Sequence, residues 1–245
     1  DADLPLALRL RAAQLRGQCL LALGRPEAAL REVHRAGALS AGRDLQAGSR
    51  LWSLVLEARC HRDLGRPDSA LVLLGRASEI WEAERAAPRD PEWRVQRGAT
   101  ARSLYSTLAG LLLAFPADLP EGERARRAFD VLQRFKARTL HERAFGPRTT
   151  QGAPADTEYA PVTAALLRRD VLAEDELLLD VFAGEEELVV LAVSRRTCRA
   201  MNRPGGGSIG QRVLLFRDAL ASGPRSQGAA AAAASTAAAL GHLLL

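Results

Sequence analysis

The chain has 245 residues, 47% of them hydrophobic, with a formal net charge of +5, which suits one large globular domain or two small ones. The positive charge is arginine, Lys136 being the only lysine. These arginines are interleaved with acids and aromatics make up only 4% of the chain, which argues against nucleic acid as the partner. Three cysteines, no signal peptide and no apolar run long enough for a bilayer argue against a membrane protein and place the chain in a reduced, cytoplasmic compartment.

The chain begins at Asp1 without a methionine and stops on Leu243-Leu244-Leu245 in mid-pattern, so it reads as a piece of a longer protein. Its first half is organised by a repeated heptapeptide. Gly24-Arg25-Pro26-Glu27-Ala28-Ala29-Leu30 returns 41 residues later as Gly65-Arg66-Pro67-Asp68-Ser69-Ala70-Leu71. A fixed period of this size marks stacked helical hairpins, a solenoid whose surface grips other proteins. Pro26 and Pro67 stand in the first turn of each second helix, where a missing N–H costs nothing. Gly24 and Gly65 end the first helices.

A hairpin stack needs small residues where its two helices touch and larger apolar ones where hairpins meet. Gly17, Leu20, Ala29, Val33 and Ala36 fall at the tetratricopeptide-repeat spacings for these positions. Ala58, His61, Ala70, Leu74 and Ala77 repeat them 41 residues on, with His61 the one polar departure. The period is about seven residues longer than the standard unit of about 34, the excess lying around Gly37 to Gly48. A looser third hairpin follows. Its first helix runs from Trp93 to Phe115 with Ala109 at the small position, its turn is Pro116 to Pro120, and its second helix is Glu121 to Ala144, carrying Ala128, Leu132 and Phe135.

Cys19 and Cys60 are repeat equivalents, so they read as small apolar residues on the same face of successive first helices, not as a metal or redox pair with His61. His34 and His141 read as ordinary helix-surface residues. Gly146 to Thr157 is a linker by composition. After a short helix near Pro161 to Arg169 the period changes. Glu176 to Phe182 and Glu187 to Ser194 are apolar runs joined by a turn, and Thr197 to Asn202 is a third strand. The first two strands are apolar on both faces, as in a sheet covered by helices on both sides.

Here a resemblance becomes specific. Leu172-Ala173-Glu174-Asp175-Glu176-Leu177-Leu178-Leu179-Asp180-Val181-Phe182-Ala183-Gly184, followed by Glu187-Leu188-Val189-Val190-Leu191-Ala192-Val193-Ser194, resembles the opening of a CHAT domain. Such domains belong to the caspase and separase clan and follow tetratricopeptide repeats. The helix ending Phe135-Lys136-Ala137-Arg138-Thr139-Leu140-His141-Glu142-Arg143 is similar to the helix that precedes them. Together these matches cover roughly residues 125 to 220. The resemblance implies an α-solenoid followed by the N-terminal part of an α/β caspase-like sandwich, with repeats over 1–145, a linker over 146–158 and an incomplete CHAT-like domain over 159–245.

It also implies a cysteine peptidase whose His and Cys lie on later strands, outside the matched segments. Gly241-His242-Leu243 lacks the proline of the family's His context, so His242 is not read as catalytic. Cys198 has no histidine near it in sequence and is read as structural. Gly205-Gly206-Gly207-Ser208-Ile209-Gly210 fits the dinucleotide pattern G-x-G-x-x-G. However, no acid follows Asp218 to hold a ribose, so it reads as a turn with Ser208 and Gln211 capping a helix from Ile209 to Ala221. The tract Ala229 to Ala239 is helical by propensity and leads to Leu240 to Leu245, which should pack on the sheet. No catalytic, cofactor-binding or metal residue is therefore assigned. The expected partner is a protein or peptide in the repeat groove, and the expected state of this chain is catalytically inert. The alternative is a non-catalytic repeat scaffold.

Overall fold

A computed structural model describes residues 5–40, 47–86, 91–145, 161–184 and 187–204. Six long helices come first: α1 (Leu6–Ala22), α2 (Pro26–Ser40), α3 (Ala47–Asp63), α4 (Pro67–Ala86), α5 (Pro91–Ala114) and α6 (Glu121–Phe145). A short helix, α7 (Ala164–Leu166), runs on through a π-type turn at Leu167–Val171. Strands β1 (Leu177–Ala183), β2 (Glu187–Ser194) and β3 (Cys198–Pro204) follow. The chain is thus mostly helical with a small antiparallel sheet. It divides into two compact units, residues 1–111 with 137–160, and residues 112–136 with 161–245.

In the first unit α1 packs on α2, α3 on α4, and α2 on α3. The two glycine seams explain how each helix pair turns back on itself. Gly24 and Gly65 have φ of +68° and +69°, the left-handed conformation that ends a helix without a side-chain clash. The Arg25 N–H then donates to the Leu20 carbonyl at 2.9 Å, and the Arg66 N–H to the His61 carbonyl at 2.9 Å. Pro26 and Pro67 open the next helices, needing no N–H partner there.

The small-residue positions behave alike in both pairs. Ala29, Ala58, Ala70 and Ala77 have no exposed surface, Leu74 has none, and Val33 and Ala36 are buried. Leu56 and Cys60 of α3 join Leu21, Ala29 and Val33 in one apolar cluster. A Cβ on Gly17 would lie 3.0 Å from Leu56 Cδ2, which is why the position has no side chain. Ala109 of α5 and, in the other unit, Ala128 and Leu132 of α6, all expected to be interior, are each fully buried, and Phe135 is half-buried.

In the second unit the strand order is β1-β2-β3, all antiparallel. Residues opposite one another share a face, so Leu178, Asp180 and Phe182 lie beside Val193, Leu191 and Val189. That face is covered by α6. The Phe135 ring meets Phe182 edge-on, with centroids 5.7 Å apart. Gln133 Nε2 donates to Asp180 at 2.6 Å, and Lys136 makes an ion pair with the same carboxylate while donating to the Val181 carbonyl at 3.0 Å. Asp130 accepts the Ala164 N–H at 2.7 Å, holding the start of α7.

One expectation needs correcting. Strand β2 is buried on both faces, but β1 is not: Leu177, Leu179 and Val181 are 58%, 57% and 40% exposed. Among the described residues β1 pairs only with β2, so it has an open edge, and only its alternate residues reach α6. An all-apolar strand signals burial on both sides only when both sides have a neighbour.

Candidate functional site

Three places carry candidate functional groups: the face shared by α1 and α3, the cysteines, and a cavity beside β3. On α1, Arg11, Gln14 and Gln18 follow helical spacing and share one face, and Trp52, Val55 and Arg59 do the same on α3. Gln14 is buried and donates from Nε2 to the Ser49 carbonyl at 3.2 Å and to Ser53 Oγ at 3.1 Å, tying the two helices together. The Arg11 guanidinium lies 5.8 Å from the centre of the Trp52 ring, within cation–π range. Gln14, Val55 and Arg59 are buried, so what this face presents outward is the exposed Arg11 beside the half-buried Trp52 and Gln18. That pair can contact a peptide through the guanidinium and the indole ring.

The cysteines occupy different environments. Cys60 has no exposed surface, and burial, with Asp63 adding to it, pushes its thiol up to about 11. Its repeat-mate Cys19 is exposed. The expectation that both fill equivalent apolar positions therefore holds for Cys60 alone, because Cys60 faces α1 and α2 while no described element covers Cys19.

A pH dependence follows. The unfolded thiol ionises near 9 and the folded one near 11, so below pH 9 the protonated thiol's full contribution is present. As pH rises from 9 the unfolded chain loses its proton first, and the contribution is gone once pH passes 11. The unfolding free energy of the helical unit, read from urea titrations, is expected to fall across that window by on the order of 2 kcal/mol more than in Cys60→Ala. Matching pH profiles for the two proteins would refute it.

His61 is half-buried, and its Nδ1 has no hydrogen-bond partner among the described residues. His34 Nε2 lies 3.3 Å from Glu57 Oε1 across the α2–α3 contact, a surface pairing. No group of three or more metal-ligating side chains occurs among the described residues. The side chain of His141, the segment Gly205 to Gly210, Ser208, Gln211, the alanine tract and His242 lie outside the described residues.

Within the second unit, a cavity of about 400 Å³ opens between the first turn of α6 and the start of β3, lined by Gly122, Arg126, Arg168, Arg196, Thr197 and Cys198 among others. Arg168 donates from Nε to the Arg195 carbonyl at 3.1 Å and from Nη2 to the Arg196 carbonyl at 2.9 Å, fixing the β2–β3 turn. Arg126 grips Glu123 with two hydrogen bonds, which hold that carboxyl below its usual range. Cys198 is buried on the α6 face of the sheet, and burial raises its thiol even though Arg168 and Arg126 oppose the shift. The cavity lining holds no histidine. A buried thiol, raised by its surroundings and without a base, is a poor nucleophile.

Sequence reasoning missed Asp180, Gln133 and Arg168 as anchors. The available signal was Asp180 itself, the one charge in an apolar run. No described helix is long and apolar enough to cross a membrane. No family model, curated protein or solved structure matches this chain.

Proposed function

We propose that this chain is a protein-interaction module of tetratricopeptide-like hairpins, an α-solenoid, joined to the opening part of a CHAT-like, caspase-related α/β domain. The α1–α3 face binds a peptide or protein segment, and the chain itself cleaves nothing. The observation that supports the first claim is the heptapeptide that returns at a 41-residue period with the same turn geometry, its paired glycines standing at φ +68° and +69°. Stacks of this kind offer extended concave surfaces to their ligands. What supports inertness is the environment of Cys198, buried with a raised thiol and no histidine in the adjoining cavity.

Panning a displayed library of random 12-residue peptides on the chain tests the binding claim. Enriched peptides are expected to bind Arg11→Glu at least tenfold more weakly. A library that yields no enriched sequence, or peptides indifferent to Arg11→Glu, sinks the claim. Peptidase activity that disappears in Cys198→Ala would refute inertness.

A further inference from the structure

The 41-residue period makes every α1 residue comparable with one on α3, and three of these comparisons disagree in the same direction. Leu56 is 2% exposed and Cys60 fully buried, and Leu64 just beyond them is half-buried. Their repeat-mates are Leu15, 43% exposed, Cys19, exposed, and Leu23, 71% exposed. Spaced four residues apart, Leu15, Cys19 and Leu23 form one stripe on α1 and its C-terminal cap. The chemistry of the stripe is that of a packed seam, but no described element packs on it.

What covers the α3 stripe is known in detail. Leu56 and Cys60 rest on Leu21, Ala29 and Val33 of the preceding hairpin, with Leu56 Cδ2 against the space left by Gly17. The surface complementary to the α1 stripe is therefore a helical hairpin with glycine or alanine at the positions held here by Gly17 and Ala29. A second folded copy of this chain has no such face free on its first two hairpins, because Ala29, Ala58 and Ala70 are already fully buried. Six residues, 41–46, suffice to lead from α2 to α3, so a hairpin joined directly ahead of α1 has the reach.

We propose that the Leu15–Cys19–Leu23 stripe is an acceptor face for one further hairpin of the same repeat, stacked in cis as α1–α2 stack on α3. This rests on the repeat-module reading above and adds the identity of the partner on this edge.

The test is the full chain preceded by an extra copy of residues 1–41, with Cys19→Ser in the extra copy. This fusion again leaves six residues between hairpins. Alkylation of the native Cys19, followed by mass spectrometry, is expected to slow at least tenfold relative to the unfused chain, toward the rate of Cys60. Leu15→Asp with Leu23→Asp in the native copy is expected to restore fast labelling. Cys19 labelling unchanged by the fusion, or slowed regardless of those two substitutions, overturns the proposal. An added copy that contributes no helix to the far-UV spectrum also overturns it, since its sequence is that of α1–α2. Leu56→Ala in the unfused chain separates the two claims. If it fails to speed Cys60 labelling, the hairpin-packing reading itself falls. If it does speed it and the fused Cys19 stays reactive, only the acceptor face falls.

Discussion

Leu56→Ala is expected to destabilise the helical unit by about 2–5 kcal/mol, a large part of a typical domain's 5–15 kcal/mol. Leu56 is 2% exposed and fills the gap above Gly17, where it touches α1 and α2 together. Truncation removes its burial and leaves a cavity that Gly17 has no side chain to fill. All three tryptophans, at positions 52, 81 and 93, belong to this unit, so its unfolding is read by tryptophan fluorescence in urea. The repeat-mate Leu15→Ala provides the contrast. At 43% exposure it is expected to lower the unfolding free energy by less than about 1 kcal/mol. Equal effects of the two truncations would show that the α1–α3 packing has been misread.

Leu191→Asp is expected to unfold the sheet while leaving the tryptophan-detected transition in place. Leu191 has no exposed surface and lies between Asp180 on β1 and Ala200 on β3, on the face that α6 covers. Losing its burial costs about 2–3 kcal/mol. Placing a carboxylate beside Asp180 without a cation to spare adds several kcal/mol more. Far-UV circular dichroism and binding of a hydrophobic dye report the loss. The control is Leu177→Asp on β1, where the side chain is 58% exposed and the expected cost is under about 1 kcal/mol. If both variants retain a native sheet, β2 is not the buried strand described here.

These two contrasts also mark how far the sequence could be read. The hairpins were legible because their punctuation is chemical: glycine at positive φ, proline in a first turn and alanine at a contact each leave one conformational option. Strand positions were legible for the same reason, and β1, β2 and β3 fall within two residues of the expected runs at either end. Which apolar residue is covered was not legible, because Leu15 and Leu56, or Leu177 and Leu191, are the same residue type in similar patterns. Coverage depends on neighbours far away in sequence.

The same limit hid the polar anchors. Asp180 meets Gln133 and Lys136 across more than forty residues, and no local pattern encodes that meeting. The lone lysine and the lone acid of a strand were each conspicuous by themselves, but only the folded chain pairs them.

The guanidinium of Arg168 has a consequence for degradation. Arg195 and Arg196 are an exposed dibasic pair, the kind of bond that trypsin-like enzymes seek. Their carbonyl oxygens, however, are already engaged by Arg168. Cleavage needs that carbonyl to leave its donors and enter the protease's oxyanion hole. A turn whose sequence invites digestion is thus shielded by the very atoms a protease must capture.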